Sequence, residues 1–172
     1  MIIMEGPDLS GKTTLANRIS ALMGIEVYHS GGPANKKRLR RRLEYINYFY
    51  KNKKIILDRH ICISEQIYGT ILRKRTKIPI YILNNILYEN NPLIFYCDKS
   101  LKYLRNNFNF LIEKPHKSKE HIKEVIKNYE AIYQKYESLM RKLSKKLTVV
   151  KVDFEVVEDN FLKGTINDYY KK

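Results

Sequence analysis

The sequence predicts an α/β domain built on a parallel sheet, and three observations carry that expectation. The residues Gly6-Pro7-Asp8-Leu9-Ser10-Gly11-Lys12-Thr13 read G-x-x-x-x-G-K-[ST], a phosphate-binding loop. They follow the apolar run Ile2-Ile3-Met4 and precede Leu15, Ile19 and Leu22 at helical spacing, so strand, Gly-rich loop and helix stand in the order the motif requires. Short apolar runs then alternate with helical patterns along the chain, without an internal repeat or a low-complexity linker. Finally, Lys54-Ile55-Ile56-Leu57-Asp58 is an apolar run ending in a carboxylate, at the strand edge where open parallel sheets gather ligand-facing residues.

Each element follows from pattern and punctuation. A strand at about 2–5 leads through the loop into a helix ending near Met23. A second strand, Glu26-Val27-Tyr28-His29, is stopped by Gly31-Gly32-Pro33, and a helix covers about 35–51. After the third strand, helical segments fill about 60–73 and 78–89. A fourth strand, Leu93-Ile94-Phe95-Tyr96-Cys97, follows Pro92, and a helix at about 99–106 leads into a polar, Pro-containing stretch near 108–118. One long helix is expected over about 119–142, then a fifth strand, Leu147-Thr148-Val149-Val150-Lys151-Val152, and a terminal helix from about Glu158.

A chain of 172 residues suits one domain with a sizeable core, residues 1–172. The strand at residue 2 leaves no room for a signal peptide, and no apolar stretch is long enough to span a membrane. Cys62 and Cys97 sit in a helical and a strand-like context and read as buried thiols of a reducing compartment. The expectation is therefore a soluble, cytoplasmic protein without a membrane partner. The net charge of +15 implies polyanionic ligands, which nucleotides satisfy as well as nucleic acid does, although an AT-rich coding bias also raises lysine. Two basic clusters stand out, Lys36-Lys37-Arg38-Leu39-Arg40-Arg41-Arg42 and Arg73-Lys74-Arg75.

The loop residues Gly6, Leu9, Ser10, Gly11, Lys12, Thr13 and Thr14 are candidate contacts for a nucleoside triphosphate. Backbone N–H groups and the helix N-terminus face the phosphates, Lys12 reaches the β- and γ-phosphates, and the Thr13 hydroxyl ligates Mg²⁺. Asp58, at a strand end opposite Thr13, holds the same ion through water, and Arg59 beside it can fork onto a phosphate.

These residues resemble the thymidylate kinase branch of the nucleoside monophosphate kinases, in a short, phage-type form. Glu5-Gly6-Pro7-Asp8-Leu9-Ser10-Gly11-Lys12-Thr13-Thr14 is similar to that family's E-G-x-D-x-x-G-K-T-T. His29-Ser30-Gly31-Gly32-Pro33 loosely resembles its R-E-P-G-G turn, and Asp58-Arg59-His60 with Ser64 and Tyr68-Gly69 resembles its D-R-[YH]-x-x-S…Y segment. The resemblance implies a P-loop kinase three-layer sandwich, a five-stranded parallel sheet of order 2-3-1-4-5, and a lid at about 108–118. It also implies ATP- and Mg²⁺-dependent transfer to a deoxynucleoside monophosphate, dTMP first. Lys12, Asp8 and Arg59 would then be catalytic. Asp8 would contact the acceptor sugar or phosphate, Arg59 would bridge acceptor and transferring group, Arg105 would lie against the donor adenine, and Pro33, Ser64 and Tyr68 would line the acceptor site.

Some positions depart from the family. The catalytic arginine of loop or lid is missing: Leu9 occupies the loop position and 108–118 has no arginine, leaving Lys114, Lys117 and Lys119 as lid cations. Lysine supplies charge without the bidentate fork. The Asp58-to-Ser64 spacing is one residue longer than usual, and no base-reading Phe-then-Arg motif is present. The helix at 35–51 is the substitute: Leu39, Leu43, Ile46 and Tyr50 form a core face, while Arg38, Arg42, Tyr45 and Phe49 form a neighbouring stripe that hydrogen-bonds or stacks on a base, or is a solvated basic face. His60 reads as a substrate contact or a helix-start residue. Tyr129, Tyr133 and Tyr136 at i, i+4, i+7 read as core packing, and Arg73-Lys74-Arg75 as cations on a helix C-terminus. Family members are commonly dimers, and the isoleucines of 60–90 suit a homodimer surface or an ordinary core.

Three other readings compete. A deoxynucleoside kinase would want a carboxylate base near the end of strand two, where this chain has His29. A polynucleotide 5′-hydroxyl kinase would use the 36–42 cluster. A non-catalytic nucleotide-binding protein is supported only by the lid without arginine.

Overall fold

The computed structural model describes residues 1–30, 36–49, 53–113 and 118–171. Five parallel strands form one sheet: β1 (Ile2–Glu5), β2 (Val27–His29), β3 (Ile56–Asp58), β4 (Leu93–Cys97) and β5 (Val149–Val152). Their order is β2-β3-β1-β4-β5, as the family resemblance implies. The register aligns Met4 with Asp58 and with Phe95, so the C-terminal ends of these strands lie side by side.

Strand alternation splits the core into two layers. Ile2, Met4, Ile56, Leu93 and Phe95 pack under α1 (Lys12–Met23) and α10 (Asp159–Tyr170). Ile3, Leu57, Ile94 and Tyr96 pack on the other face. There they meet α2 (Lys36–Phe49), α3 (Ile61–Ser64), α5 (Ile80–Asn90) and α9 (Tyr129–Leu143). Leu39, Leu43 and Ile46 are the buried stripe of α2, as expected. Cys62 and Cys97 are free and buried. No helix among the described residues is long and apolar enough to cross a membrane.

Three expectations are corrected. The helical run over 60–73 is interrupted: α3 passes through a π-helical turn, Glu65–Gly69, into α4 (Thr70–Leu72). Buried Glu65 fixes that turn, accepting both Arg73 Nη2 contacts at 2.7 Å and the Lys77 N–H at 2.6 Å. Arg73 therefore serves a carboxylate rather than the helix carbonyls. The long helix is two, α8 (Lys119–Lys127) and α9, because Asn128 leaves helical geometry and its side chain caps back onto the Glu124 carbonyl at 2.9 Å. Between α6 (Leu101–Asn106) and α8, the polar stretch carries a short helix, α7 (Asn109–Ile112). Pro33, Tyr50, Lys114, Lys117 and the Phe49 side chain lie outside the described residues.

Candidate active site

The phosphate loop is shaped by close packing on two sides. A Cβ on Gly6 would stand 2.3 Å from the Cys97 carbonyl oxygen, and one on Gly11 2.1 Å from the Phe154 ring. Gly11 also has φ 81°, and Leu9, at φ 69°, adopts the same left-handed region without glycine's freedom. Gly11 caps α1 with no side-chain bond, and the first turn of α1 carries no acid to oppose an anion at the positive helix end. Lys12 curls back onto the Pro7 carbonyl and lies 3.4 Å from Ser10 Oγ. Burial and then the Arg59 charge pull its ammonium down to about 8, against Asp8 and Glu5.

Alternation along β3 sends Asp58 to the α1 face, where Thr13 stands in the first turn of the helix. The Thr13 hydroxyl donates to Asp58 Oδ2 at 2.7 Å, and His29 Nδ1 lies 3.0 Å from the same oxygen. A hydroxyl and a carboxylate beside a phosphate cradle are the hard oxygen donors that Mg²⁺ takes, with phosphates and water completing its shell.

The next residue reverses direction. Arg59 has φ 72°, and that left-handed turn swings its guanidinium to the α9 face. Its Nη2 donates to Asp8 Oδ1 at 2.9 Å, while Nη1 donates to the hydroxyls of Tyr68 at 3.1 Å and Tyr136 at 2.9 Å. Tyr68, presented by the π-helical turn, donates in turn to Asp8 Oδ2 at 2.9 Å. Tyr136 donates to Glu5 Oε2 at 3.2 Å, and the other Glu5 oxygen accepts the His60 N–H at 2.6 Å. Glu5 is fully buried. Burial pushes its carboxyl up to about 7, opposed by the Arg59 charge and the His60 N–H.

α9 contributes more than packing. Tyr129 donates to the Asp8 carbonyl and Tyr133 to Asp98. The expectation that Tyr129, Tyr133 and Tyr136 are core residues is correct for the buried rings of Tyr129 and Tyr136 and incomplete for the hydroxyls. Sequence reasoning also omits Glu5 and Phe154 as site residues. His60 is the cap of α3, with Nδ1 accepting the Cys62 N–H at 3.1 Å, rather than an exposed contact.

Ser64 Oγ is buried without a hydrogen bond among the described residues. Arg38 and Arg42 stand exposed and half-buried on α2, and the Tyr45 ring faces Tyr28 at 6.3 Å. Arg105, on α6, pairs with Glu130 at 2.7 Å in an exposed position. Thr14 is exposed at the start of α1.

The fold coincides with that of solved structures over nearly the whole chain. The chain has the fold of the P-loop nucleotide kinases. It superposes on the YorR protein of Bacillus subtilis, solved in complex with phosphorylated GDP, with a TM-score of 0.70 at 17% identity, covering 99% of this chain and 95% of that one. It matches deoxyadenosine kinase from M. mycoides with bound dATP at 0.58 and 18% identity, covering 98% of each chain. It also matches thymidylate kinase from Ehrlichia chaffeensis at 0.52 and 16% identity, covering 99% of this chain and 97% of that one. No family model matches the sequence, and no curated protein does. This P-loop kinase fold places Lys12, Asp8, Arg59 and the Thr13–Asp58 pair at one edge of the sheet.

Proposed function

We propose that the protein transfers a phosphoryl group from ATP, with Mg²⁺, to a deoxynucleoside monophosphate, dTMP first. The observation that carries this reading is Arg59. It gives the site a second anion-binding cation beside Lys12, within reach of the loop's own carboxylate Asp8. One cation serves the donor and the other the acceptor, as transfer between two phosphates requires.

The loop N–H groups and Lys12 hold the donor phosphates, with Lys12 turning from the Pro7 carbonyl onto them. Thr13 and Asp58 hold Mg²⁺, which when bound neutralises charge on the donor phosphates. Arg59 clamps the acceptor phosphate and steadies charge on the transferring group. Asp8 orients the acceptor through its sugar. No strong base is needed, because an acceptor phosphate oxygen is already ionised. Arg38, Arg42, Tyr45 and Phe49 remain the proposed base readers, Arg105 the donor-base contact, Ser64 and Pro33 acceptor-side residues, and Lys114 and Lys117 the lid cations.

A deoxynucleoside acceptor is the second reading. His29 ends β2 hydrogen-bonded to Asp58, a pairing that suits removal of a hydroxyl proton. An ATP- and Mg²⁺-dependent assay with nucleosides, nucleoside monophosphates and a 5′-hydroxyl oligonucleotide side by side decides. Product from dTMP or another monophosphate supports the first reading and names the base. Product only from a nucleoside or oligonucleotide overturns it.

A further inference from the structure

We propose that the Asp8 carboxylate is an internal stand-in for the acceptor phosphate, and that an acceptor opens the site by displacing it from Arg59. The inference rests on reading the site as that of a monophosphate kinase. The Arg59 guanidinium has two hands in different company. Nη1 is held by neutral groups, the hydroxyls of Tyr68 and Tyr136. Nη2 is held by an anion, Asp8 Oδ1 at 2.9 Å, and Tyr68 occupies the remaining carboxylate oxygen. The ion pair is well shielded, with side chains 20% and 6% exposed.

A guanidinium edge accepts carboxylate or phosphate oxygens with the same geometry, so Nη2 is the hand that can exchange one anion for the other. The phenols keep Nη1 in place during the exchange, anchored through Tyr136 to buried Glu5. A phosphate dianion brings the charge needed to replace a carboxylate. A neutral nucleoside does not, because drawing Asp8 away would leave a shielded guanidinium edge without its anion. Asp8 Oδ1, once displaced, can turn to a sugar hydroxyl while Tyr68 keeps Oδ2. Monophosphate affinity is thus reduced by the fraction of molecules whose Nη2 is still on Asp8.

The test is calorimetric titration of the full chain, without ATP, with inorganic phosphate, dTMP and thymidine. Asp8→Asn should bind inorganic phosphate roughly tenfold more tightly than the unaltered protein. Asp58→Asn removes the same charge from the same sheet edge, but its carboxylate bonds Thr13 and His29, so it should show no comparable gain. Thymidine should bind the unaltered protein at least roughly tenfold more weakly than dTMP. No gain in Asp8→Asn, or an equal gain in Asp58→Asn, overturns the stand-in. If Asp8→Asn does not fold, Tyr68→Phe loosens the same carboxylate and should show a smaller gain, with no gain again overturning the idea. Transfer to dTMP without the Asp8→Asn gain overturns the stand-in and leaves the kinase reading intact. The gain without transfer to any monophosphate supports the stand-in and overturns the kinase reading.

Discussion

The phosphate loop draws its chemistry from consecutive residues, whereas the wall facing it is made of phenols from α9: Tyr129 reaches Asp8 across 121 positions, and Tyr136 reaches Glu5 across 131. The loop works largely through backbone, with N–H groups aimed by Gly6 and Gly11 in conformations where a Cβ would collide with its neighbours. The α9 wall works through three hydroxyls on one helical face. Removing a hydroxyl there keeps the ring and its packing, while adding a methyl to the loop destroys the loop. Backbone sites fail all at once, and side-chain sites can be dismantled bond by bond.

Four changes sharpen that contrast. The largest effect is expected at Lys12→Ala, which should lower phosphoryl transfer at least about a hundredfold with the melting temperature unchanged; retained turnover would refute the site. Gly11→Ala comes next. Its Cβ would stand 2.1 Å from the Phe154 ring at a φ of 81°, so nucleotide binding should vanish and stability fall by about 1–3 kcal/mol in urea titrations. Tyr136→Phe should leave the fold intact but cost about 1–3 kcal/mol, because buried Glu5 and Arg59 each lose a partner. Tyr133→Phe breaks one bond to Asp98 in a half-buried position and should cost roughly 1 kcal/mol or less; equal losses at both positions would deny α9 its special contact with the loop.

The most diagnostic effect concerns pH. Folding raises the Glu5 carboxyl from its ordinary 4.5 to about 7, chiefly by burial. Between those values the native chain holds a proton that the unfolded chain has released. Stability from this group is thus complete at low pH and is lost as pH rises towards neutrality. Glu5→Gln should flatten that slope, measured as urea midpoints at about pH 5 and about pH 8. An unchanged slope would show that Glu5 does not titrate in this window.

Much of this was legible in advance because it is local. The G-x-x-x-x-G-K-[ST] spacing specifies the loop, and the apolar run ending in Asp58-Arg59 specifies β3 and its end. The break at Asn128 and the π-helical turn at Glu65–Gly69 were not legible. Each depends on a side chain's preference for a particular partner, the Glu124 carbonyl in one case and Arg73 with Glu65 in the other. The role of His60 was open for the same reason: capping and substrate contact use the same residue type at the same helix start.

The sequence by itself determined the parallel sheet, its phosphate loop, and the identity of the cations and carboxylates at its edge, since periodicity and motif spacing encode local backbone geometry. Tertiary structure alone decided what those groups touch. Period-two alternation puts Glu5 and Asp58 on opposite faces, but only packing brings Tyr136 to one and Thr13 to the other. Seven-residue spacing puts Tyr129 and Tyr136 on one side of a helix, and it carries no information about what stands opposite. The left-handed turn at Arg59 then decides the site, carrying its guanidinium from the end of β3 to Asp8 and the phenols of α9.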